Sequence, residues 1–360
     1  MFPERFVQRY VNKATEAGDF VYDPFSGRGT TMLQSLLMNR NAVASDINPV
    51  AFCLTGAKAQ LPTLEATLKE INELEKEYVN ADGLALIEER QALPAFFRRC
   101  FYHSTLSQLL FLREKLHWQK NRVHRFIAAI SLGSLHGEMN KSKSYFSNQM
   151  PRTISVKPDY ALKYWAKHGL WPNKRDIFDI LRRQANFRLT SCLPNHDGIA
   201  DMVDVREAAG KFPALSGHVS AIITSPPYYN VTSYEEDQWL RLWLLGNEPR
   251  PTYGKISTDD RHVHLENYWL FLRDAWRGVA PLLRQNAKLI CRIGGKDLNK
   301  AEITEGLTDS IRATFPDAVL IQEPILTKLK HKQTDSFRPG SKGCRFEIDY
   351  YFVLPSAILP

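Results

Sequence analysis

The stretch Phe20-Val21-Tyr22-Asp23-Pro24-Phe25-Ser26-Gly27-Arg28-Gly29-Thr30-Thr31 constrains this chain most. A short apolar strand runs into a glycine-rich turn, and the helical Met32-Leu33-Gln34-Ser35-Leu36-Leu37 follows. Strand, turn and helix in that order open a βαβ unit, where glycines let the backbone approach a ligand closely. The spacing is not Gly-x-Gly-x-x-Gly and no Gly-Lys-Ser/Thr follows, which disfavours a pyrophosphate cradle or a P-loop. A second strand, Ala42-Val43-Ala44-Ser45, ends in Asp46, 23 positions after Asp23. An acid in that place accepts hydrogen bonds from ribose hydroxyls.

A second signal lies far downstream. The apolar run Val219-Ser220-Ala221-Ile222-Ile223-Thr224 reads as a buried strand and stops at Ser225-Pro226-Pro227-Tyr228. Two prolines lack N–H groups and fix φ, so the strand must end there in a rigid turn. A hydroxyl before the prolines and a ring after them suit a flat heterocycle held by its exocyclic amine. Ser225 and the Pro226 carbonyl can accept from the amine, and Tyr228 can stack on the ring.

The Asp23–Thr31 turn, Asp46-Ile47-Asn48-Pro49 and Thr224–Asn230 resemble the motifs of amino-group DNA methyltransferases that use S-adenosylmethionine. Ser-Pro-Pro-Tyr is similar to the tetrad of the N4-cytosine branch, whereas the N6-adenine branch mostly carries Asp-Pro-Pro-Tyr. The resemblance covers roughly residues 1–60 and 200–355. Either signal alone fits a common βα turn or a Pro-Pro loop after an edge strand; together and in this order they do not. The resemblance implies cofactor contacts from Asp23, Pro24, Phe25, Ser26, Gly27, Gly29, Thr30, Thr31, Asp46 and Ile47. It also implies an acid near Gly198–Glu207 for the adenine amino group, with Asp204 assigned and Asp201 its rival. The catalytic set it implies is Ser225, Pro226, Pro227 and Tyr228. The rival functions are N6-adenine methylation, methylation of an RNA base amine, and a nucleic-acid-binding protein without catalysis.

The five cysteines are scattered without Cys-x-x-Cys spacing, so neither a disulfide framework nor a zinc site is indicated. No Pro-Cys pair exists, which speaks against C5-cytosine methyltransferases. His262 and His264 sit two apart without a third ligand, so no metal is assigned. The opening residues Met1-Phe2-Pro3-Glu4-Arg5-Phe6 lack a signal-peptide apolar region, and no apolar run reaches membrane-spanning length. A cytoplasmic enzyme is expected, acting on DNA, with a cognate restriction system as a further partner.

The formal net charge is +8, but Arg98 to Thr190 holds 18 Lys/Arg against five Asp/Glu. That leaves the rest of the chain net acidic and concentrates basic charge in one segment, as a phosphate-binding surface requires. Trp118, Tyr145, Phe146, Tyr160, Tyr164, Trp165 and Trp171 are interleaved with it, most of them expected in a helical core. Within it, Lys141-Ser142-Lys143-Ser144-Tyr145 has the composition of a loop that tracks a strand. Helical patterns at 63–79, 106–116, 126–135 and 170–188 complete an inserted, mainly helical module over 61–190, read as the target-recognition part. Residues 1–60 and 191–360 are expected to form an α/β, Rossmann-like methyltransferase sheet, mostly parallel with a closing antiparallel hairpin. Its last strands are placed at Val319–Ile321 and Ile348–Leu354, with a basic loop, Thr327–Arg345, between them. Trp239, Leu240, Leu242, Trp243 and Leu244 are expected to pack on that sheet.

Overall fold

The computed structural model describes residues 3–81, 83–137, 143–147, 157–190, 193–229, 234–251, 264–295, 297–329 and 344–357, without the side chains of 234–237. The chain divides into two units. The first comprises Met1–Gln60, Pro194–Thr232 and Lys255–Pro360; the second comprises Leu61–Leu193 and Ser233–Gly254.

The first unit is built on one eight-stranded sheet. Its strands are β1 (Phe20–Asp23), β2 (Asn41–Ser45), β3 (Ile199–Asp201), β4 (Val219–Thr224), β5 (Leu283–Gly294), β6 (Val319–Leu320), β7 (Ile325–Lys328) and β8 (Phe346–Leu354). The order is β3-β2-β1-β4-β5-β8-β6, with β7 also paired to β8. Strands β3, β2, β1, β4 and β5 run parallel, and β8 returns antiparallel beside β5. The fold is the expected mixed α/β, mostly parallel sheet. Strand β7 is an addition: the expected basic loop Thr327–Arg345 begins inside it, and 330–343 lie outside the described residues.

Alternation along the strands divides the core. Val21, Ala221 and Ile223 face one side, where α1 (Glu4–Ala14) packs Phe6, Val7, Tyr10, Val11 and Ala14 onto them. These helix positions share one face at helical spacing. Tyr22 and Ile222 point to the other side. There α13 (Leu265–Val279) contributes Tyr268, Leu272 and Trp276, and α14 (Lys300–Arg312) contributes Ile303, Leu307 and Ile311. Each such apolar side chain, fully buried, stabilises by about 1.5–3 kcal/mol relative to exposure. Two further helices, α2 (Thr30–Leu37) and α3 (Pro49–Ala59), connect the first strands.

The second unit is helical: α4 (Leu64–Val79), α5 (Gly83–Ala92), α6 (Ala95–Cys100), α7 (His103–Lys115), α8 (Arg122–Ser134), α9 (Pro158–Lys167), α10 (Ile177–Leu189) and α12 (Tyr234–Leu244). Helix α11 (Ala208–Lys211) belongs to the first unit. Helix α12 corrects an expectation. Trp239 and Trp243 pack within the helical unit, with ring centroids 5.2 Å from Phe96 and 4.5 Å from Phe97 respectively. Arg113 Nε also donates to the Trp243 carbonyl at 2.8 Å. The physical reason is the Phe-rich α6, which offers matching aromatic edges. Of the interleaved aromatics, Trp118, Phe146 and Trp165 are buried, whereas Tyr160, Tyr164 and Trp171 are exposed. Among the described residues no helix is long and apolar enough to cross a membrane.

Candidate active site

Strand β1 lies between β2 and β4, so the strand order reverses direction there. In open α/β sheets a ligand crevice forms at such a switch point, outside the carboxyl ends of the strands. The sequence-predicted residues converge on that edge: Asp23 ends β1, Asp46 follows β2, Asp201 ends β3 and Ser225 follows β4.

The glycine turn is held from below by buried polar groups. Asp23 is buried, and its Oδ1 accepts from Thr224 Oγ1 at 2.7 Å and from the Phe25 N–H at 3.2 Å. Burial pushes the Asp23 carboxyl up to about 6, with its hydroxyl partner Thr224 opposing the shift. The single proton of the Thr31 hydroxyl goes to the Ile223 carbonyl, at 3.1 Å. Asp23 and Thr31 therefore tie the glycine turn to the strand that carries the tetrad. Pro24, Ser26 and Thr31 are buried, Phe25 and Thr30 are half-buried, and Gly27 is exposed. Phe25 packs edge-on against Phe271 with centroids 5.8 Å apart. Thr30 opens α2.

Gly29 sits at the N-cap of α2 with φ +69°, and a Cβ there would lie 2.8 Å from Thr55 Oγ1 and 2.9 Å from Thr55 Cα. Gly27 also has positive φ, +51°, but its nearest atom would be Phe25 O at 3.9 Å. Gly29→Ala is therefore expected to destabilise by about 2–3 kcal/mol, combining left-handed strain with a clash against backbone. Gly27→Ala should cost only about 1 kcal/mol, from the strain alone. Urea unfolding of both variants checks the difference; equal losses would mean that α3 yields to the new methyl group.

Asp46 is half-buried and spans the turn. Its Oδ2 accepts from the Gly27 N–H at 3.0 Å and its Oδ1 from the Asn48 N–H at 3.0 Å. Burial raises its carboxyl above the usual range, against those backbone donors. The neighbouring Ile47 exposes 55% of its surface, an apolar face beside an acid at the crevice.

The third region divides between the two candidate acids. Asp204 Oδ1 and Oδ2 take the guanidinium of Arg206 at 3.0 and 2.7 Å, and Oδ1 caps the short turn Val205–Glu207. Asp201 ends β3 in register with Ser45, and its carbonyl accepts from Asp46 N at 3.4 Å. Asp201 is also ion-paired, with Lys211 Nζ 2.9 Å from its Oδ2 and the Met202 N–H donating to its Oδ1 at 2.8 Å; what separates the two acids is that Asp201 lies at the end of β3 beside Asp46.

At the tetrad, Ser225 Oγ donates to Tyr228 Oη at 3.3 Å, and Tyr228 Oη donates to Glu347 Oε1 at 3.0 Å. Tyr268 Oη donates to the Pro227 carbonyl at 2.9 Å. Pro226 is buried. Burial, and then the Glu347 charge, hold the Tyr228 phenol well above its ordinary value. Behind Glu347 lies Arg292, bidentate to Asp349 at 2.6 and 2.8 Å and 3.5 Å from Glu347.

Sequence reasoning missed Glu347, Arg292, Asp349 and Tyr268. A signal existed: Glu347 and Asp349 stand two apart in an otherwise apolar strand, which places both on one face. Two acids in a buried strand require a cation, and register brings Arg292 opposite Asp349. Asn230, Lys141 and His262 lie outside the described residues.

Residues 1–55 match the family model described as DNA methylase. The Type II methyltransferase M.BsoBI of Geobacillus stearothermophilus is 25% identical over 330 residues, 80% of this chain and 61% of that protein. This chain is similar to amino-group DNA methyltransferases. It spans about 61% of the length of that curated relative. The rRNA methyltransferase aviRa of Streptomyces viridochromogenes aligns over 97% of this chain and 85% of its own, at 12% identity and a TM-score of 0.32. The 16S rRNA (adenine(1408)-N(1))-methyltransferase of Catenulisporales acidiphilia aligns over 99% and 95%, at 10% identity and 0.35. Both structural likenesses are remote. The DNA methylase match indicates S-adenosylmethionine as the cofactor. The residues present fit it: a positive-φ glycine turn with exposed backbone at Gly27, an acid at the end of β2, and exposed apolar surface at Ile47.

Proposed function

We propose that this protein transfers a methyl group from S-adenosylmethionine to the exocyclic amine of a flipped DNA base, with cytosine N4 as the acceptor. One observation carries the reading: Ser225-Pro226-Pro227-Tyr228 ends β4 at the same sheet edge as Asp23 and Asp46, hydrogen-bonded to the glycine turn through Thr224. The cofactor supplies a methyl group already activated by a sulfonium. The protein has to position the amine, because the nitrogen lone pair is delocalised into the ring and reacts poorly. Ser225 Oγ and the Pro226 carbonyl accept the amine N–H bonds and draw the nitrogen toward a tetrahedral form. These contacts strengthen as charge develops on the amine, so they lower the barrier rather than tighten ground-state binding. Flipping the base out of the duplex costs a few kcal/mol, which stacking on Tyr228 offsets in part.

Mass spectrometry of nucleosides from DNA and, in a parallel reaction, RNA, each incubated with protein and labelled cofactor, tests this reading. N4-methylcytosine is the expected product. N6-methyladenine would reassign the base, label in RNA alone would reassign the substrate, and no label would remove the activity. A cognate restriction nuclease would recognise the same sequence.

Cofactor contact is assigned to backbone at Phe25–Gly29, to Asp46 for the ribose, to Ile47, and to Asp201 in preference to Asp204 for the adenine amine. Asp46→Ala should weaken S-adenosylmethionine binding by about 1–3 kcal/mol, the scale of a lost hydrogen-bonding group. Calorimetry that finds unchanged affinity in the folded variant removes the assignment.

The basic helical unit is assigned to DNA. Exposed Tyr160, Tyr164 and Trp171 lie among its cations, and the Arg99 guanidinium sits 3.4 Å from the centre of the Trp171 ring. DNA affinity should fall steeply with salt, at a slope set by the number of phosphates neutralised. Replacing Lys141 and Lys143 with Ala should reduce that slope by about 2 and leave cofactor affinity unchanged. A slope equal to that of the parent protein would move the DNA-binding surface elsewhere.

A further inference from the structure

We propose that Glu347 receives the proton that the base amine loses on methylation, relayed by Ser225 and Tyr228; this rests on the methyl-transfer reading. Methylation of a neutral amine leaves one proton too many on nitrogen. The hydroxyl expected to touch that amine, Ser225 Oγ, donates onward to Tyr228 Oη at 3.3 Å, and Tyr228 Oη donates to Glu347 Oε1 at 3.0 Å. The donors point in a single direction, from the amine position to a carboxylate. The chain ends away from solvent, since Glu347 is only 7% exposed.

The far end of the relay suits a proton. Two carboxylates, Glu347 and Asp349, face the Arg292 guanidinium, whose paired short bonds go to Asp349. A proton placed on Glu347 leaves Arg292 and Asp349 as a neutral pair. Register makes the arrangement possible, because Gly294 opposes Glu347 and Arg292 opposes Asp349 across β5 and β8. Gly294 also lets the ring approach: a Cβ there would lie 3.2 Å from Tyr228 Cε2 and 2.6 Å from Cys344 Sγ. Tyr228 keeps its own proton at rest, since burial and Glu347 both oppose phenolate formation. It can pass a proton on but cannot act as the resting base.

The step balances. The amine lone pair forms the N–CH3 bond as the S–CH3 bond breaks, with its electron pair staying on sulfur. The nitrogen gives a proton to Ser225 Oγ, the Ser225 proton moves to Tyr228 Oη, and the Tyr228 proton moves to Glu347. A sulfonium and a carboxylate become a neutral thioether and a neutral carboxylic acid, and the methylated amine is neutral.

Glu347→Gln keeps the shape and removes the acceptor, and Tyr228→Phe keeps the ring and cuts the relay. Each should lower the single-turnover rate on the order of 10²-fold, with KM for DNA and cofactor within about twofold of the parent. In series the losses should not multiply, so the double variant should be no slower than the slower single one. Infrared difference spectra on product formation should show a carboxylate becoming a carboxylic acid, and Glu347→Gln should lack that change. A folded Glu347→Gln or Tyr228→Phe that methylates at the parent rate overturns the relay, as does a multiplied loss in the double variant. If the parent protein itself methylates no DNA, the methyl-transfer reading fails and the relay with it.

Discussion

Ser225→Ala is expected to bind cofactor and DNA within about threefold of the parent and to lower turnover by roughly 10²-fold, the scale of one lost preorganised polar contact. The reason lies in when the contact matters. The amine in its ground state is a weak donor, whereas the nitrogen gains positive charge as the methyl group arrives. A hydroxyl accepting from that N–H is worth most at the barrier, so kcat falls and KM does not. Tyr228 loses the Ser225 donor at 3.3 Å but keeps Glu347 as its acceptor at 3.0 Å, so its ring stays in place. Single-turnover methylation alongside equilibrium binding separates the two effects. Parent-level turnover in the folded variant would show that Ser225 does not hold the amine.

Arg292→Leu is expected to be the most damaging single change to stability, at about 3–5 kcal/mol, because it leaves buried carboxylates without their cation. Asp349 is 4% and Glu347 7% exposed, so water cannot replace the guanidinium. The Arg292 guanidinium also lies 4.1 Å from the centre of the Phe6 ring, which ties α1 to the same point. Urea denaturation should move to lower midpoint with little change in slope. Arg292→Leu combined with Asp349→Leu and Glu347→Leu should recover much of the loss, since three apolar groups carry no stranded charge. A loss below about 1 kcal/mol in the single variant would mean that the cluster is hydrated and behaves like a surface ion pair.

The two damaging changes act on one connected structure. The tetrad leads through Tyr228 to Glu347, and Glu347 leads to Arg292 and Asp349. The position of the Ser225 hydroxyl is therefore linked to charges buried between the strands β5 and β8.

What could be read from the sequence was local. The prolines after Thr224 dictate where β4 ends, and the glycines after Asp23 dictate a turn with backbone exposed to a ligand. Asp46 closes a short apolar run and so must lie at a strand end. Each of these follows from steric rules that act within a few residues. The tertiary structure decided what depends on pairing between distant segments. Register across β5 and β8 sets Arg292 against Asp349, a partnership over 57 positions that no local pattern announces. Asp201 and Asp204 each hold a local cation, Lys211 and Arg206, and only the pairing of β3 with β2 carries Asp201 to the side of Asp46, which the three-residue spacing between the two acids does not announce. The apolar spacing of Trp239 and Trp243 suggests packing on the sheet; their contacts with Phe96 and Phe97 place them in the helical unit instead. Burial itself is legible from a single chain, but the partner in burial is not, because an apolar face is equally satisfied by any complementary surface.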